Sequence, residues 1–198
     1  MITPNRWTDS PCDADFQIAE PSFMANFIWM AILTLAAVGV TVALSCVTPF
    51  AALAVALAGT GGLRASLRVM AAVWLANQAI GFGLFHFPRT TDAFLIGIAI
   101  GGAALAGTIA AWLVLNRLRA RPVLLRLGVA LLVSFGSYEL ALIGPVVFLG
   151  DLETFRPAIV AQLGLVNAVS LVGIIALNEV LAALCRPWLG RIPRLVRL

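Results

Sequence analysis

"PFAALAVALAGTGG", residues 49–62, is apolar almost from end to end, yet it is only 14 residues long. A helix that crosses a bilayer needs about 20 apolar residues to cover roughly 30 Å of hydrocarbon. At about 1.5 Å per residue, this stretch covers little more than half of that. Whether it counts as a crossing decides the fold, because it sets the number of spans and the side on which every later loop falls.

The rest of the chain leaves no doubt about the solvent. Hydrophobic residues make up 62% of the sequence, charged residues 11%, and the mean hydropathy is +1.03. A soluble domain of 198 residues needs far more charge to cover its surface. The composition therefore predicts an all-α integral membrane protein. All 13 basic residues are arginine. They sit at the ends of apolar runs rather than along one polar face, which favours headgroup contact and topology over nucleic-acid binding.

Proline, glycine and charge punctuate the apolar sequence into runs at 23–45, 49–62, 65–87, 93–116, 123–149 and 157–185. Residues 1–22 carry Asp9, Asp13, Asp15 and Glu20 against one arginine, with three prolines. This lacks the basic start and apolar middle of a secretory signal and reads as a disordered cytoplasmic tail. The expected organisation is that tail, a six-helix membrane domain over 23–185, and a basic cytoplasmic tail over 186–198.

Arginine placement gives the orientation. With six crossings, Arg6, Arg64, Arg68, Arg117, Arg119, Arg121, Arg126, Arg186, Arg191, Arg194 and Arg197 share one side, and only Arg89 and Arg156 take the other. Eleven against two is a strong positive-inside bias. It arises only if 49–62 counts as a span, so that stretch must be tilted, supplemented by its flanks, or shielded by its neighbours. Both termini are then cytoplasmic.

Polar residues inside the spans acquire depths on this frame. Asn77 and Gln78 lie about 12–15 Å below the outer end of the third run. Tyr138 and Glu139 lie at a comparable depth in the fifth, and Gln162 and Asn167 in the outer half of the sixth. Above them, outer loops carry Cys46, His86, Arg89, Asp92, Asp151 and Glu153. Polar side chains facing lipid are costly, so these should face the bundle interior or a wet cavity. Two readings stay open: a ligand pocket open to the outside, and helix-to-helix hydrogen bonding worth about 1 kcal/mol per amide.

The small residues suggest close packing. Ala52 with Ala56, and Ala54 with Ala58, form small-xxx-small pairs that suit either the chain's own bundle or another membrane protein. Gly97 with Gly101, and Ala103 with Gly107, point to internal packing of the fourth run. Catalytic signatures are absent: there is no Walker A motif, G-x-S-x-G or HExxH, and a single His cannot build a di-haem bundle. Cys12, Cys46 and Cys185 show no paired spacing. Cys46 alone falls on the outer face, where a thiolate would suit a late transition metal and His86 offers an imidazole; the plainer reading is an apolar filler.

The six-span pattern resembles the substrate-binding S-components of energy-coupling-factor (ECF) vitamin transporters. "CVTPFAALA" followed by "VWLANQAIGFG" is similar to the cobalamin-specific, BtuM-type group of Gram-negative bacteria. The resemblance covers roughly 23–185. It implies a multi-pass inner-membrane vitamin-capture subunit with no catalysis and no cofactor of its own, cobalamin being the transported ligand. Cys46 would be an axial ligand to the corrin cobalt. Asn77, Gln78, His86, Arg89, Tyr138, Glu139 and Asn167 would form the ligand site. The small-residue face of Ala52, Ala56 and Ala58 would meet an ECF T-component and its ATPases. The competing expectations are a membrane enzyme or cofactor-assembly factor using Cys46, His86 or Glu139, and a structural membrane subunit.

Overall fold

The computed structural model describes residues 48–149 and 155–189, with side chains over 48–148 and 155–180. The expected run 23–45, both tails beyond these limits, and Cys46 lie outside the described residues. Within them the chain forms five helices and no strand: α1 (Phe50–Thr60), α2 (Leu63–Gly83), α3 (Thr91–Arg117), α4 (Val123–Leu149) and α5 (Pro157–Leu189).

Three of these, α3, α4 and α5, are long and apolar enough to cross a membrane, so the chain reads as a membrane protein. Their outward faces are apolar. On α4, Leu124, Leu132, Leu140 and Phe148 are exposed at eight-residue intervals, and Leu165, Val169 and Val172 are exposed on α5. Such side chains cost nothing in hydrocarbon, which is as apolar as they are. α2 is 21 residues long. Its Arg64, Arg68, Asn77 and Gln78 make it the least apolar of the long helices.

The short helix α1 sits at the centre. Every residue from Phe50 to Ala58 is buried. It packs against all four other helices. A helix that is apolar all round and enclosed is a core helix, and its 11 residues, about 16 Å, explain why it must be. An interior end of a helix exposes donors or acceptors that lipid cannot satisfy, so protein groups must do so. At the first end Phe50 N–H donates to the Thr48 carbonyl (2.8 Å) and Ala52 N–H donates to Asn167 Oδ1 (3.1 Å). At the other end the Leu57 carbonyl accepts from Gly61 N–H (3.0 Å) and from Ser66 Oγ (2.9 Å). Thr60 Oγ1 donates to the Ala56 carbonyl (3.0 Å). Of the three ways a 14-residue run could be accommodated, shielding by neighbours is the one adopted.

This burial corrects one expectation. Ala52 and Ala56 are fully enclosed and Ala58 is 7% exposed, so they offer no surface to an ECF T-component. Their small size serves the approach of α1's own neighbours. The glycines of α3 act as expected. A Cβ at Gly101 would lie 2.5 Å from the Trp74 ring, and one at Gly107 would lie 3.1 Å from the Ser134 carbonyl. These positions let α2 and α4 close onto α3.

Candidate functional site

The first turn of α1 gathers side chains from three other helices. Asn77 of α2 accepts, through Oδ1, from Thr48 Oγ1 at 2.8 Å. Tyr138 of α4 stacks on Phe50, with ring centroids 6.0 Å apart. Asn167 of α5 is buried; its Oδ1 accepts the Ala52 N–H and its Nδ2 donates to the Leu163 carbonyl at 2.9 Å. The absence of a side-chain cap from α1's own N-cap residue, Pro49, is thus made good by an amide 115 residues beyond Ala52. The sequence reading brought Asn77, Tyr138 and Asn167 to one depth, and the structure brings them to one helix end.

Gln78 belongs elsewhere. Adjacent helical residues point about 100° apart, so neighbouring amides cannot share a target. Gln78 Nε2 donates to the Gly97 carbonyl at 2.9 Å, and Trp74 Nε1 donates to the same oxygen at 2.8 Å. Together they tie α2 to α3, so for this half of the amide pair the helix-bonding reading is the one observed. Trp74 escaped the sequence reading. Its spacing of four from Gln78, opposite Gly97 and Gly101, was the available signal.

His86 and Arg89 lie on the exposed α2–α3 connection. His86 adopts a left-handed backbone (φ 53°), and its Nδ1 is 2.8 Å from the Leu84 carbonyl. The turn is closed by Phe87 folding back: its N–H donates to the Gly81 carbonyl at 3.1 Å, and its ring lies where a Cβ on residue 81 would be, at 2.8 Å. Thr90 then caps α3 through the Ala93 N–H (3.3 Å). Gln162 is exposed, so it does not turn inward as depth alone suggested.

Glu139 follows Tyr138 on α4, and its Oε1 is buried without a hydrogen-bond partner among the described residues. Towards the opposite end of the bundle, Asn178 is fully buried with both amide atoms unpartnered among those residues. No group of three or more His, Cys, Asp or Glu that could hold a metal occurs among the described residues.

Beside Asn167 there is a cavity of about 570 Å³ between α4 and α5, two helices that touch only sparingly. Leu131 and Phe135 line it from α4, and Val160, Ala161, Gly164 and Asn167 from α5. Phe155 and Pro157 bound it where α5 begins. Its size falls within the range of small-molecule sites, about 300–1,000 Å³, and a mostly apolar wall with one placed polar group is the usual composition. Compared with known proteins, the chain matches no family model, no curated protein and no solved structure.

Proposed function

We propose that this chain is a membrane-embedded capture subunit for the uptake of a small molecule, taken as a vitamin, from the outer side of a bacterial inner membrane. The observation that carries the reading is the cavity between α4 and α5, with buried Asn167 in its wall and the first turn of α1 behind that amide. Arg64, Arg68, Arg117, Arg119, Arg121 and Arg126 lie around the end away from Thr48, and the positive-inside bias therefore turns the Thr48 end, and the cavity with it, outward. In this reading 23–45 and α2 complete six spans, and both termini are cytoplasmic.

Cobalamin is the first ligand to test, on the resemblance to ECF S-components alone. Cys46, two positions before Thr48, would supply the axial thiolate in that case. The test uses purified protein in right-side-out and inside-out proteoliposomes. Cyanocobalamin retained only in the first, with a visible spectrum that Cys46→Ala changes, would support that ligand. Gln78→Leu should lower the unfolding temperature while leaving retention within about twofold, because its amide is spent on Gly97. Retention equal from both sides would sink the outward orientation. An unaltered spectrum in Cys46→Ala would remove the thiolate.

A further inference from the structure

The cavity that supports capture also restricts what can be captured. Among the described residues nearly all of the wall is aliphatic or aromatic, and Asn167 is the one side chain in it with hydrogen-bonding atoms. Asn167 has already spent Oδ1 on the Ala52 N–H and one Nδ2 hydrogen on the Leu163 carbonyl. An amide nitrogen carries two hydrogens, so one donor is left over among the described residues. The local field has the same sign. Asn167 stands at the N-terminal turn of α1, and Pro157 on the cavity's boundary opens the N-terminal turn of α5. Helix N-termini carry a partial positive charge of about half a unit each. A ligand that leaves this donor unused forfeits the polar recognition that the described wall offers, and a ligand with several polar groups strands the others against Leu131, Phe135 and Val160.

We infer that the cavity takes a free, largely apolar molecule ending in a single carboxylate or carbonyl, with that oxygen bonded to Asn167 Nδ2 and the apolar body between α4 and α5. The inference rests on the capture reading and narrows it to a class that excludes a corrinoid, whose rim carries many amides. Leu132, on the lipid-facing stripe of α4, also lines the cavity, so the experiment separates a free molecule from a bilayer lipid.

The experiment uses full-length protein in nanodiscs and two photoreactive probes. One is a diazirine-bearing phenylalkanoic acid, and the other is the matched hydrocarbon lacking the carboxylate. The acid should label α5 at Val160 or Ala161, at least tenfold more than the hydrocarbon. Asn167→Leu removes the donor, so acid labelling should fall at least tenfold, to the level of the hydrocarbon, whose own labelling needs no hydrogen bond and should be unchanged. Gly164→Leu provides the second variant. A Cβ at 164 meets only the Phe135 ring, at 3.6 Å, so the fold tolerates it, but the longer side chain fills the cavity and should abolish labelling by both probes.

Equal labelling by acid and hydrocarbon would overturn the ligand class and leave capture standing. Absence of labelling in protein that still retains cobalamin would overturn this cavity as the site. A co-purified phospholipid that blocks the acid would make the bilayer the source of the occupant, and residues 23–45 found cross-linked to Gly164 would make the chain itself the occupant. Either result overturns the inference.

Discussion

Asn167→Leu should destabilise the protein by about 1–3 kcal/mol, the cost of leaving a buried backbone donor without its acceptor. Asn167 Oδ1 is the acceptor for the Ala52 N–H, at a depth where α1 is enclosed by protein. Leucine is apolar and of similar size, so the change removes the hydrogen bond and little of the packing. Unfolding in mixed micelles by graded addition of a denaturing detergent measures it. Gln162→Leu is the matched control on the same helix: it is exposed, and it should move stability by less than about 0.5 kcal/mol. If the two variants behave alike, the amide is not holding α1.

Gly101→Leu should cost at least as much, for a steric reason. The Cβ alone would lie 2.5 Å from the Trp74 ring, and that ring is held by its Nε1 bond to the Gly97 carbonyl. Either the bond breaks or α2 and α3 move apart, and overpacking of this kind costs about 1–3 kcal/mol. Trp74→Ala should partly rescue Gly101→Leu, giving a coupling of more than about 1 kcal/mol in a double-mutant cycle. Gly102 is one residue away, exposed, with nothing within 4 Å of its would-be Cβ. Gly102→Ala should therefore be neutral, or stabilising by up to about 1 kcal/mol through helix propensity. Additive losses at Trp74 and Gly101 would mean that the close approach carries no strain.

The helices were legible because breakers write their ends into the sequence. Run 123–149 follows Pro122 and appears as α4 with those limits, and run 157–185 starts at Pro157, which opens α5 as proline at a first helical position does. The place of α1 was less legible. A helix that is apolar on every face has no moment to indicate which side is inside, so residues 49–62 were compatible with lipid, with a partner or with the core. The same ambiguity misdirected Ala52, Ala56 and Ala58, since small-xxx-small spacing permits close approach without naming the helix that approaches. Depth placed Asn77, Tyr138 and Asn167 together, because rise per residue is nearly constant. It could not give direction: Gln78 and Gln162 share the depth and point elsewhere. The bond from Asn167 to Ala52 joins positions 115 apart, and no local pattern announces it.

That bond has a consequence for biogenesis. The N-terminal turn of α1 is synthesised long before the residue that caps it, so the helix cannot reach its final state as it leaves the ribosome. With 11 helical residues it is a poor substrate for insertion on its own, and while it waits its first turn needs water or the insertion machinery in place of Asn167. Its enclosure must be a late event that follows the arrival of α5. Ribosome-arrested chains ending near residue 150 should show rapid amide exchange over Ala51–Leu53, and chains extended past residue 189 should show protection there. Protection already complete in the shorter chains would mean that α1 is sealed without its cap.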